Sequence, residues 1–241
     1  GENLAVQEGE EVICAEGKCV APGLIDGHVH FRDPGFTYKE DIHTGALSAA
    51  AGGFTTVICM ANTKPVVDNV ETLKYVLEKA SEEKINVLQA GAVSIGFQGK
   101  ELTDFEGLLA AGATGLTDDG IPLIDESLVR SAMERAKALD VVLSFHEEDP
   151  ALITNNGVNR GKASEFFGIG GSPKEAESAL VERDCKIAKE IGAKINIQHI
   201  SSAQAVQSVR EAKAAGAKVY AEAAPHHFTL TEEACIQHGT L

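Results

Sequence analysis

An α/β barrel is the fold class this sequence predicts, and three observations predict it. Seven apolar, β-branched runs recur along the 241 residues, each followed by a run of helical periodicity. The connections between runs are mostly short, as crossovers between parallel strands are. Polar side chains cluster at or just past the C-terminal ends of five runs: His28 and His30, Asn62, Asp118 and Asp119, His146, and His199. A doubly wound sheet shares the first two features. The third favours the barrel, because (β/α)8 barrels build their sites at that end of the strands.

Taken in order, residues 1–22 alternate polar and apolar, with Gly9 and Gly17 as turn signals. They predict a few strands of a small β unit ahead of a barrel over 23–241. Barrel strands are expected at 24–31, 55–60, 86–93, 113–117, 141–146, 194–200 and 218–224. Most are apolar throughout, as strands buried on both faces are. Helices are expected near 39–52, 68–83, 103–111, 125–139, 173–191 and 202–215, with another beginning near Thr231. Leu73, Val76, Leu77 and Ala80 show the three-and-four spacing of a helix face. "SPKEAE", 172–177, reads as a Ser N-cap, Pro at the first helical position and Glu in the first turn. The one long connection, 148–172, is rich in Gly and Asn and is expected to flank the pocket. The chain opens without Met and stops in a helical pattern, "TEEACIQHGTL". Both ends read as cut, with the eighth strand absent.

Composition narrows the function classes. With 44% hydrophobic residues the chain can bury one large core, and 24% charged residues is ordinary for a globular protein. A net charge of −15 and a pI near 4.9 repel phosphate backbones and anionic lipids, which excludes nucleic acid and membrane as expected partners. An anionic small molecule stays open, because one Arg in a pocket overrides the global field. No apolar run approaches the ~20 residues that span a bilayer. The five cysteines, at 14, 19, 59, 185 and 235, are scattered and odd in number. They argue against a disulfide framework and for a reducing cytoplasm.

"GLIDGHVHFRDPG", 23–35, carries the chemistry. Side chains at i and i+2 of a strand share a face, so His28 and His30 can grip one metal ion. Taken singly, His146 and His199 read as core histidines satisfied by a hydrogen bond. With the HxH pair and a carboxylate between them, the set becomes a nitrogen–oxygen donor group suited to zinc. Two ions about 3.5–4 Å apart can share a bridging carboxylate. "GLTDDGIP" offers two: Asp119 is the candidate bridge, and Asp118 is left to cap the turn or the following backbone. His43 falls on the outer face of its helix. His226 and His227 read as structural or as supports for the site. "AAAGGF" lacks the spacing of a phosphate cradle.

"PGLIDGHVHFRDPGFTYKEDIHTGALSAAAGGFTTVICMANTKPVVDN", "GLTDDGIPLID", the His146 strand, "INIQHISSAQAV" and "AEAAPHHFTLTEE" occur here in an order that resembles the dihydroorotases of the amidohydrolase superfamily, the bacterial long-chain type. The resemblance begins near residue 18 and runs to the end. It implies an incomplete (β/α)8 TIM-type barrel of metal-dependent hydrolases, with 1–22 as a remnant of a small β-domain. It implies two zinc ions, His28 and His30 holding the first, His146 and His199 the second, and Asp119 bridging where many relatives use a carboxylated lysine. His30, Arg32 and Asn62 are implied to contact substrate, Arg32 and Asn62 through its carboxylate. The implied reaction is the reversible hydrolysis of the cyclic amide of (S)-dihydroorotate to N-carbamoyl-L-aspartate, in pyrimidine synthesis. The family's aspartate acid/base falls beyond Leu241, so no catalytic acid/base is expected within the chain, and the 241 residues alone are expected to be nearly inactive. The rival readings are an allantoinase or hydantoinase-like enzyme, and a non-catalytic barrel bound to aspartate transcarbamoylase. A homodimer is also left open.

Overall fold

Seven parallel strands alternate with helices in the computed structural model, which describes residues 5–154 and 157–239. The strands are β1 (Leu24–Val29), β2 (Phe54–Cys59), β3 (Asn86–Gln89), β4 (Leu116–Thr117), β5 (Val142–Phe145), β6 (Lys194–Ile197) and β7 (Lys218–Ala221). The helices are α1 (Ile42–Ala51), α2 (Val70–Ala80), α3 (Phe105–Ala110), α4 (Glu126–Ala138), α5 (Lys162–Phe167), α6 (Glu175–Ile191), α7 (Ala203–Ala214), α8 (Pro225–Thr229) and α9 (Glu233–His238). Strands pair in chain order, β1-β2-β3 and β4-β5-β6-β7. A parallel bridge between Gly91 and Leu116 joins the two groups.

Laid flat, seven strands about 4.8 Å apart would separate β1 from β7 by roughly 29 Å. Instead His28 on β1 lies 2.5 Å from Glu222, one residue past β7. The wall therefore curls on itself, as in a barrel. Among the described residues no backbone ladder joins β7 to β1.

The helices pack outside. Leu73 and Val76 of α2, Val129 and Met133 of α4, and Val181 and Ile187 of α6 are fully buried in one core with Val57, Leu143, Ile195 and Ile197 of the strands. Asp41, Asn69, Asp104, Asp125 and Ser202 cap their helices through side chains, which fixes where each crossover begins. α1 crosses so close to Phe31 that a Cβ on Gly45 would meet the ring at 2.4 Å.

Several boundaries differ from the sequence reading. Residues 5–22 form no strand and lie almost wholly exposed; 1–4 fall outside the described residues. Every barrel strand but β4, which ends at Thr117 as expected but begins only at Leu116, stops short of its expected C-terminal end, because the chain leaves the ladder to carry the site. Arg32 (φ 58°) and His199 (φ 36°) take left-handed backbone there. α6 begins at Glu175 with Lys174 at the cap position and no side-chain cap. Ser172 is drawn instead into a bridge with Asn159. α5 and α8 were not anticipated: the first lies in a Gly-rich loop and the second in a stretch read as strand end.

Candidate metal centre

Strand alternation selects the residues that face the barrel's interior. On β4, Thr117 donates to Gln198 Oε1 (3.1 Å), so Thr117 and, two residues on, Asp119 point inward. On β5 and β6, the Asn196 amide meets Ser144 Oγ (3.4 Å), which sends Ser144 and His146 inward. By the same parity Gln198, not His199, would continue the inward face of β6. The left-handed turn at His199 restores its ring to the centre.

The five expected donors converge. His28, His30 and Asp119 form one group whose donor atoms all lie within 4.8 Å of one another, and Asp119, His146 and His199 form a second. Asp119 belongs to both and is 3% exposed. Its Oδ2 stands 3.4 Å from His30 Nε2. Its Oδ1 stands 3.4 Å from His28 Nε2 and 3.6 Å from both His146 Nδ1 and His199 Nε2. Two ligands held at ~2.0–2.1 Å on a tetrahedral ion stand roughly 3.3–3.4 Å apart. These separations, and the neutral-imidazole and carboxylate chemistry, fit a divalent metal of the zinc type.

The outer nitrogens are held as well. His30 Nδ1 meets Asn62 Oδ1 at 3.0 Å, and the Asn62 amide donates to Asp119 Oδ2 at 3.1 Å. A carbonyl oxygen only accepts, so His30 carries its proton on Nδ1 and leaves Nε2 for the centre. His28 Nδ1 meets Glu222 Oε1 in the same manner. The inner nitrogens crowd together: His28 Nε2 and His30 Nε2 lie 3.1 Å apart, His146 Nδ1 and His199 Nε2 2.8 Å.

The electrostatics follow from this crowding. Burial alone would raise Asp119, but hydrogen bonds from His146, His199 and His28 hold it well below the usual carboxylate range. Burial opposes charge on His28, yet Asp119 and Glu222 outweigh it and push the ring up to about 9. Burial lowers His30. Such protons must leave when a metal enters. Asp118 faces the other way. It accepts from the Val93 and Ser94 backbone N–H groups (2.7 and 3.0 Å) and from the Ser94 hydroxyl, and burial pushes it up to about 6. It ties β4 to the loop after β3, rather than capping its own turn as the sequence suggested. Glu147 alternates outward from His146 and is buried against Asp184 of α6; burial first, then Asp184, pushes its carboxyl well above the usual range.

Beside the histidines opens a cavity of about 1120 Å³. Asn159, Arg160 and Ser172 line it, so the long connection flanks the pocket as expected. His226 and His227 line its far rim, and His227 Nδ1 accepts the Ala224 N–H (3.3 Å). His43 is on the outside, 3.2 Å from Glu83. Arg32 sits half-buried beside His30, close enough to lower the ring's affinity for a proton. Asn62 is engaged by His30 and Asp119. Sequence reasoning missed Glu222 and Gln198. Both are inward positions one residue past a strand, and counting parity from His146's strand to the next two would have marked them.

The chain matches the model of a family described as dihydro-orotase-like over residues 17–205. It is 60% identical to a dihydroorotase of Clostridioides difficile, over 97% of this chain and 55% of that protein. It is 54% identical to a dihydroorotase of Clostridium acetobutylicum, over 99% of this chain and 56% of that one. The chain thus spans about half the length of the curated relatives it matches. Among solved structures it resembles a D-hydantoinase (TM-score 0.77, 25% identity, 98% of this chain and 54% of that one). It also resembles the L-hydantoinase of Arthrobacter aurescens (TM-score 0.76, 22% identity, 93% and 52%). The α/β barrel architecture is the fold these share.

Proposed function

This chain belongs to the dihydro-orotase-like family, and we propose that it serves a dihydroorotase: a zinc-dependent cyclic amidohydrolase that interconverts (S)-dihydroorotate and N-carbamoyl-L-aspartate in pyrimidine synthesis. The observation that carries the proposal is one buried carboxylate, Asp119, set between two histidine pairs. His28 and His30 would hold one ion, His146 and His199 the other, with Asp119 on both. Zinc bound there supplies Lewis acidity toward a carbonyl and acidifies water. The chain's own residues position the reaction. Asn62 fixes the His30 tautomer through Nδ1. Asp119 keeps its negative charge at the centre of four rings, where it draws in a cation. Arg32 offers a guanidinium fork to the substrate carboxylate, and Asn62, if released from His30, a second contact.

Within the same proposal, residues 1–22 belong to a separate small domain. The setting is a reducing cytoplasm, supported by five free cysteines, and the assemblies to test are a homodimer and a complex with aspartate transcarbamoylase. The structural likeness to hydantoinases favours one second reading, a neutral cyclic amide as substrate. A panel on the natural protein, purified with its metal, separates the two. Turnover of dihydroorotate with none of hydantoin or allantoin is expected; the reverse preference overturns the assignment.

A further inference from the structure

Glu222 stands where the two open edges of the wall approach. Its Oε1 lies 2.5 Å from His28 Nδ1, a contact across 194 residues of sequence. The carboxylate does not swing freely. Asn196 Nδ2 donates to Oε2 at 3.2 Å. The Glu222 backbone is fixed too, its N–H donating to the Ile197 carbonyl (3.0 Å) and its carbonyl accepting from the Ile200 N–H (2.8 Å). We propose that Glu222 is a positioning residue for the first metal site: it holds the His28 ring with its proton on Nδ1, so that Nε2 faces Asp119 and the ion. The inference rests on reading this centre as a metal site.

The chemistry is directional. A carboxylate accepts and cannot donate, so the contact requires the proton on Nδ1. A competitor is already in place. Gln198 Nε2 lies 3.4 Å from the same Nδ1 and at present donates to the Met60 sulfur at 3.1 Å. With Glu222 gone, that amide can donate to Nδ1. The neutral ring would then carry its proton on Nε2, the nitrogen that must bind metal. A carboxylate behind a metal-bound imidazole also makes the ring a stronger ligand, and removing such a partner typically costs ~10–100-fold in metal affinity.

The test uses the whole chain and two readouts. Zinc is titrated into metal-free protein against a chelator, for wild type, Glu222→Ala and Glu222→Gln. The wild type is expected to show two binding events. Glu222→Ala should weaken one of them ~10–100-fold and leave the other unchanged, and Glu222→Gln, whose amide oxygen still accepts, should recover part of the loss. In proton spectra of the metal-free chain, the downfield N–H of His28, assigned by its disappearance in His28→Ala, should vanish in Glu222→Ala. Two unchanged binding events, or persistence of that N–H signal, overturn the proposal. A wild-type chain that takes up no zinc overturns the metal reading instead, and the N–H signal alone then decides whether Glu222 holds the ring.

Discussion

His28 and His30 each have an outer nitrogen held by a side chain from the end of another strand, Glu222 past β7 for one and Asn62 past the neighbouring β2 for the other. In both pairs the nitrogens facing Asp119 meet, at 3.1 Å for His28 and His30 and at 2.8 Å for His146 and His199. Among the described residues, however, no side chain hydrogen-bonds the outer nitrogens of the second pair, which sits on the neighbouring strands β5 and β6. His146 Nε2 stands 3.9 Å from the Glu148 carboxylate, beyond hydrogen-bond reach, and the backbone turn at His199 aims its ring. The difference teaches where each half gets its geometry. The first pair depends on the β1–β2 ladder for His30 and, for His28, on the wall curling so that β7 reaches β1. The second depends on one ladder and one strained residue, and it should survive changes that loosen the first.

Substitutions at four positions break or sharpen that contrast. The largest effect should come from Asp119→Asn, the one change that touches both halves. It removes the shared charge, and metal affinity should fall by more than the ~100-fold expected of an outer partner, at both sites together; elemental analysis after dialysis reads this directly. A variant that keeps either ion at full occupancy would show that the halves do not share this carboxylate.

Asn62→Ala should act mainly on the first half. With His30 Nδ1 unheld, one zinc site is expected to weaken ~10–100-fold and the other by less, through the lost Asn62–Asp119 hydrogen bond. If metal binding is unchanged and only KM for dihydroorotate rises, Asn62 serves substrate rather than His30. Arg32→Met should give the converse pattern: unchanged metal content and a KM raised about tenfold or more, the worth of a charged hydrogen bond at ~1.5–3 kcal/mol. Arg32→Lys should restore only part of it, since an ammonium lacks the bidentate fork. An unaltered KM in both would revive the neutral-substrate reading.

The smallest expected effect concerns the loop that carries Arg32. Asp33 is buried, accepts from Tyr75 Oη (3.0 Å) and pairs with Lys79 Nζ (2.8 Å), which fastens the loop after β1 to α2. Asp33→Ala should lower stability by about 1–3 kcal/mol, read from the midpoint of urea unfolding, and should leave the second zinc site intact. A midpoint equal to the wild type's would mean that the loop is held by other contacts.

Much of this arrangement was legible in the sequence. The strand runs announce themselves as buried apolar stretches, and each metal-donor residue sits where such a run ends. What the pattern could not show was how early most strands stop, because departure from the ladder is set by site geometry: β6 ends at Ile197 and leaves Gln198 and His199 to the site. The choice of Asp119 over Asp118 was legible as alternation. The partner of Asp118, the Val93–Ser94 backbone, was not, because it lies on another strand's loop. Glu222, in "AEAAPHH", falls within the expected seventh strand and carries no sequence signal of its own. Only the curl of the wall, which brings β7 against β1, gives it a histidine.

The central claim is that one carboxylate joins two metal positions. Electron paramagnetic resonance of the metal-free protein reloaded with two equivalents of Mn²⁺ tests it most directly. Ions bridged through Asp119 should give an exchange-coupled spectrum, and the coupling should be absent in Asp119→Asn. Two uncoupled ions, or a single ion however much metal is added, would contradict the account.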